Sequence, residues 1–189
     1  MGLTQSIAPV IEPVTLSEAK AHLRVDGTDE DELIADLIQA AREACEIFTR
    51  RQFITATWAL TLDWFPDVIE LPRPPLQSVT TLAYVDVDGD DQTLTEGTDF
   101  DKDTTPLVGY LLPCYGESWP DTYGHIADVT VTYKAGYGDA ASDVPSAIKA
   151  AIKLLMADLY EHREARTEAK LEDNLTVQRL LWHYRVLEA

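Results

Sequence analysis

The strongest constraint on the fold is a change of apolar rhythm that happens twice along the chain. Leu33, Ile34, Leu37, Ile38, Ala41, Cys45 and Phe48 recur at helical spacing and define one face. From Phe53 to Tyr137 the rhythm becomes short runs of strand-forming residues separated by turn residues. The helical stripe then returns in Ile148, Ala151, Ile152, Leu155, Met156, Leu159 and Tyr160. Helix, strands, helix is the order of an α+β chain in which a β-subdomain is inserted into a helical body. With 189 residues, such a chain can bury roughly 70% of the surface its unfolded form exposes, so it needs no disulfide or metal to fold.

Local signals sharpen the elements. Thr15 and Glu18 have the spacing of a capping box, which opens a first short helix ending near Val25-Asp26-Gly27. Thr28 or Asp29 is expected to cap the second helix, with Glu30, Asp31 and Glu32 in its first turn and Arg50 and Arg51 closing it. Strands are expected around Thr55–Trp64, Val68–Leu71, Val79–Val85, Gly109–Leu112 and Val129–Tyr133. Asp88-Gly89-Asp90-Asp91 turns one of them, and Pro72-Arg73-Pro74-Pro75 punctuates another. Pro145 starts the next helix, where a missing N–H costs nothing. Residues 161–174 are polar and charged, and beyond them Leu180, Leu181, Trp182 and Tyr184 form an apolar, aromatic terminus. That terminus either folds back on its own domain or docks on a partner, because large apolar patches are seldom left in water. The expected domains are therefore a helical core (1–51 and 145–174), a β-rich insertion (52–144) and a docking segment (175–189).

Charge excludes one class of partner. The net charge is −18, and it is uneven: residues 52–144 hold 3 basic and 16 acidic side chains, whereas residues 145–189 hold 7 of each. A surface that grips nucleic acid replaces phosphate counterions with Lys and Arg, so ordinary DNA binding is disfavoured. The acid is either a soluble, self-repelling surface or one past which DNA slides without sticking. No apolar run approaches the ~20 residues of a membrane span, and the N-terminus lacks the layout of a signal peptide, which points to synthesis in a cytoplasm. In that compartment Cys45 and Cys114 are expected to be free thiols.

Catalytic and metal signatures are missing. A calcium loop starting at Asp86 would need Gly at its sixth position and Glu at its twelfth, where Asp91 and Gly97 stand, so a hairpin turn is expected. His22, His125, His162 and His183 form no zinc pattern. Gly136-Tyr137-Gly138 lacks the third glycine of a dinucleotide fingerprint, and there is no phosphate loop or nucleophile elbow. No cofactor and no metal is expected.

The run Val14-Thr15-Leu16-Ser17-Glu18-Ala19-Lys20-Ala21-His22-Leu23-Arg24-Val25 resembles the opening of phage head–tail connector (adaptor) proteins. Trp58, the run Leu71-Pro72-x-Pro74-Pro75-Leu76-Gln77-Ser78-Val79, Tyr84 with Asp86 and Gly89, and Trp119-Pro120 are similar to the family's centre. So are Tyr133-Lys134-Ala135-Gly136-Tyr137-Gly138, Val144-Pro145 and Ile148-Lys149, and late in the chain Tyr160-x-x-Arg163-Glu164 and Leu180-Leu181-x-x-Tyr184-Arg185. His183 departs from the pattern, in which a proline commonly precedes Tyr-Arg.

The resemblance implies a helical connector core of about four helices with a β insertion and a C-terminal docking helix. It implies a virion protein of the neck, made in the bacterial host, whose copies form a dodecameric ring beneath the portal protein. Other surfaces would receive the next neck, stopper or tail protein, and DNA would pass through without specific binding. Leu180, Leu181, Trp182, Tyr184 and Arg185 are the expected portal contact, since aromatic residues and Arg are the usual interface anchors. Asp86, Asp88, Asp90 and Asp91 are the candidate channel-facing acidic loop. The alternatives are a stopper or tail-completion protein, an acidic enzyme working through carboxylates, and a DNA mimic.

Overall fold

The computed structural model describes residues 1–105, 107–162 and 175–187. The chain divides into two compact units: residues 1–9 with 55–137, and residues 10–54 with 138–189.

Among the described residues, the first unit is built from eight strands paired antiparallel in two sheets. A five-stranded sheet has the order β1 (Gly2–Ile7), β2 (Ala56–Leu62), β8 (Val129–Ala135), β4 (Leu76–Val85), β5 (Asp91–Leu94). A three-stranded sheet has the order β3 (Ile69–Leu71), β7 (Gly109–Pro113), β6 (Phe100–Asp103). Alternation decides which face is buried: in β8 Val129, Val131, Tyr133 and Ala135 point inward, while Thr130, Thr132 and Lys134 do not. Leu60 and Leu82 from the large sheet join Ile69, Leu71, Phe100 and Leu111 from the small one in a shared core. Each such fully buried side chain stabilises the unit by about 1.5–3 kcal/mol. Tyr133 is fully buried, so its hydroxyl needs a partner and donates to the Pro72 carbonyl at 2.8 Å. At Gly109 a Cβ would lie 2.6 Å from Leu76 Cβ, which is why β7 carries glycine where the chain passes Leu76.

The second unit is helical. It contains α1 (Leu16–Leu23), α2 (Asp31–Thr49), α3 (Ser146–Glu161) and α4 (Leu175–Leu181), the last followed by a 3-10 turn at Trp182–Tyr184. The capping box forms as expected: Thr15 Oγ1 accepts from Glu18 N at 3.2 Å and Glu18 Oε2 accepts from Thr15 N at 2.9 Å. Helix α2 packs on α3 through Ile34, Ile38, Ala41 and Cys45 facing a stripe of Ile148, Ala151, Ile152, Leu155 and Met156, all buried. Pro145 is the N-cap residue of α3, one position before its first turn, and its carbonyl accepts from the amides of Ile148 and Lys149.

Several expectations need correction. The polar strand β1 was not foreseen, nor were the acidic strands β5 and β6. Residues 1–9 pair with β2 and so cluster with the β unit, and residues 52–54 and 138–144 cluster with the helices rather than the insertion. Phe53 and Ile54 are buried, and Ile54 bridges Gly138. Helix α2 starts later than expected: Glu30 is its cap residue, with no side-chain cap bond. Tertiary partners engage that turn instead, with Lys20 paired to Asp31 at 2.6 Å and Tyr160 donating to Glu30.

Candidate functional site

The C-terminal segment is tied to its own helical unit at specific points. Val177 and Leu181 are buried, and with Ala44, Cys45, Phe48, Leu155 and Gln178 they line an apolar cavity of about 90 Å³. Arg51 Nε donates to the Tyr184 carbonyl at 2.5 Å, and the Val186 amide donates to the Thr49 carbonyl at 2.9 Å. The Arg185 guanidinium lies 5.3 Å from the Phe48 ring centroid and 5.6 Å from that of Trp182, within cation–π range. Its Nε is buried and meets no acceptor among the described residues.

This arrangement divides the five residues singled out from sequence. Leu181 is 1% exposed and belongs to the core. Leu180, Tyr184 and Arg185 are half-buried, and Trp182 is 61% exposed beside Leu187 at 66%. The segment therefore folds back through one side and presents an aromatic, cationic face on the other. Residues 163–174, including Arg163 and Glu164 of the resemblance, lie outside the described residues.

Beneath it, a polar network that sequence reasoning missed fixes the end of α2. Arg42 and Glu46 have side chains 6% and 7% exposed and pair at 2.7 Å. Glu46 Oε1 also accepts from Gln52 Nε2 at 2.8 Å and from the Phe53 amide at 2.9 Å, while Arg42 Nε donates to Glu12 at 2.8 Å. Burial works against the guanidinium charge, but Glu46 and Glu12 outweigh it and raise the Arg42 pKa. Their helical spacing of four was the available signal, two charges on the edge of an apolar stripe. Nearby, burial first and Glu46 second push the Cys45 thiol up to about 12. Both cysteines are free.

The acidic hairpin is held by one of its own carboxylates. Asp86 Oδ1 accepts from the amides of Asp88 and Asp90, each at 3.0 Å, and Oδ2 accepts from Gln92 Nε2 at 2.8 Å. The Asp90 amide, then Gln92, hold the Asp86 pKa below the usual carboxylate value. Asp88, Asp90 and Asp91 are exposed. Asp86 is thus a structural residue of the turn, and its three neighbours are the charges offered outward. Among the described residues no group of three or more His, Cys, Asp or Glu is placed to hold a metal ion. Gly136-Tyr137-Gly138 serves packing: the Gly136 amide donates to the Pro75 carbonyl, and a Cβ on Gly138 would meet the Asp143 carboxylate at 2.1 Å.

The fold is the one found in the necks of gene transfer agent (GTA) particles. Over 100% of this chain and 97% of the other, it superposes with a TM-score of 0.83 at 23% identity on a chain from the neck of an empty GTA particle computed with C6 symmetry. A chain from the neck of a native GTA particle computed with C12 symmetry gives 0.75 at 24% identity over the same shares. In sequence, residues 13–89 match the phage gp6-like head-tail connector protein family, so the resemblance read from the residues is borne out over that stretch. A 45-residue stretch is 40% identical to the head completion protein gp6 of Enterobacteria phage HK97, covering 24% of this chain and 42% of that protein. The chain thus spans less than half the length of this curated relative. No helix among the described residues is long and apolar enough to cross a membrane.

Proposed function

We propose that this chain is a structural head–tail connector of a tailed phage or GTA-like particle. It forms a ring in the virion neck beneath the portal, extends the DNA channel and provides the platform on which the next neck or tail protein assembles. The observation that carries the reading is the full-length likeness to chains of GTA necks, joined to the connector match over residues 13–89. It acts as a structural protein, not as an enzyme.

The C-terminal segment makes the portal contact. Trp182, Leu180, Tyr184 and Arg185 form the contact face and Leu181 anchors it from within, which suits docking into a groove. Twelve copies at −18 each would repel one another and the passing duplex, and screening reaches only ~8 Å at physiological salt. Ring formation by the isolated chain therefore improves as ionic strength rises.

The test is the mass of the purified chain with and without the portal protein of its own particle, at low and moderate salt. Stoichiometric loading on the portal, lost on deletion of 175–189 or in Trp182→Ala, supports the connector. Loading on an isolated tail and not on the portal would favour a stopper or tail-completion protein.

A further inference from the structure

One end of the β unit gathers exposed aromatic and acidic side chains on a braced loop platform. The loops after β2, after β4 and before β8 meet there and are cross-linked. Asp63 Oδ1 accepts from the Ala127 amide at 3.0 Å, the Tyr123 amide donates to the Val85 carbonyl at 3.0 Å, and Asp86 bridges Thr122. Asp128 Oδ2 accepts from the amides of Gly124 and His125 at 2.6 and 2.7 Å, and Phe65 stacks on Trp119 at 4.9 Å. Ala127 is held at φ 64°, a strained value for a residue with a Cβ, and the loop sustains it through these bonds. From this platform Trp64 stands 67% exposed, Tyr123 49% and Ile126 89%. The hairpin carrying Asp88, Asp90 and Asp91 lies alongside, with Gly89 against the Tyr123 ring. Between Arg73 and Lys134 the chain has one Lys or Arg, Lys102, which is engaged with Glu96 at 2.6 Å.

We infer that this loop end of the β unit is a docking surface for a protein partner that presents Lys and Arg side chains. Exposed rings on a rigid backbone offer large contact area at low ordering cost, and their faces attract cations. The carboxylates beside them supply the complementary field and steer the encounter. Duplex DNA does not fit, because its phosphates would meet carboxylates and find no cation. This rests on the connector reading and deepens it by giving the chemistry of a partner received by the β unit. It takes the place of the expectation that Asp86, Asp88, Asp90 and Asp91 face the channel.

The experiment uses particles in which this chain is replaced by Trp64→Ala, by Tyr123→Ala, or by Asp88→Asn with Asp90→Asn and Asp91→Asn. The last variant spares Asp86, which holds the turn. Two quantities are read on DNA-filled heads: the amount of this chain retained, and the fraction carrying the next neck or tail component. The expected result is normal retention with an about tenfold or greater loss of the next component, the effect of losing an interface anchor. For the native chain, joining should slow as salt is raised. Normal joining in all three variants would overturn the inference. So would loss of the chain itself from heads, which would place these residues in the ring or portal contact. Normal joining with altered DNA retention would overturn it too and return the hairpin to the channel. Absence of the native chain from heads would instead reject the connector reading itself.

Discussion

Replacing Leu181 with Ala should loosen the C-terminal segment without unfolding the helical unit, and the two cysteines can report the difference. Leu181 is 1% exposed and closes the apolar cavity that Cys45 also lines. Removing its three outer carbons forfeits roughly 2–2.5 kcal/mol of transfer free energy at ~0.8 kcal/mol per methylene-sized group. The pocket it lines, about 90 Å³ and open on one side, would be enlarged by the substitution. With the cavity contribution the total is about 3 kcal/mol. Because α4 is a seven-residue terminal helix, most of this falls on its docking equilibrium. The Cys45 thiol, pushed up to about 12 by burial, reacts only when the segment opens, whereas Cys114 is half-exposed and on the other unit. Thiol labelling of Cys45 should accelerate about 100-fold in Leu181→Ala while Cys114 labelling stays within a factor of two or so. Unchanged Cys45 labelling would refute the packing argument. Equal acceleration at both thiols would mean global unfolding and refute the idea of a separable segment.

Arg42→Met should cost about 3–5 kcal/mol in chemical denaturation of the helical unit, because it strands the buried Glu46 carboxylate. A cost below about 1 kcal/mol would show that Glu46 is satisfied by Gln52 and the Phe53 amide alone. Asp86→Ala should open the hairpin, seen as faster amide exchange at Asp88 and Asp90, while Asp88→Ala should leave it closed. Since the folded Asp86 pKa is depressed, its contribution is fully present above the ordinary value of 3.8 and fades as pH falls through the lower folded value. The same sign holds for Glu18, whose carboxylate is held down by the Thr15 amide, so α1 should fray at acid pH, and Thr15→Ala should cost about 1 kcal/mol. Gly109→Ala should destabilise the β unit, measured by thermal unfolding, because a Cβ there collides with Leu76.

Elements whose stability is written in a local pattern were legible in the sequence. The Thr15–Glu18 box, the stripes of α2 and α3, and the alternation of β8 all depend on neighbours within a few positions. Strand β1 was not legible, because Gly2–Ile7 sends only Leu3 toward the core and owes its form to pairing with β2, some 55 residues away. The acidic strands β5 and β6 pair with near neighbours in the chain, β4 and β7, and were hidden because their polar sequences DQTL and FDKD carry little strand signal. Arg42 and Glu46 were passed over, because Glu12, Gln52 and the Phe53 amide are brought to them only by the fold. At the terminus the sequence did not separate buried from exposed residues: a 3-10 turn rotates Trp182 outward immediately after Leu181 has turned in. Trp64 read as the end of a strand, but β2 stops at Leu62 and leaves it in a loop; Ile126 gave no periodic signal, and the meaning of both comes from loops that converge only in the folded β unit.

The most direct test of the account is a reconstruction of the neck of the particle that encodes this chain. The account predicts a ring of copies directly beneath the portal, with residues 175–187 in contact with it and the Trp64–Tyr123 loops turned toward the next component. Finding the chain absent from the neck, or seated beyond the first ring with its C-terminal segment facing no portal, would contradict it.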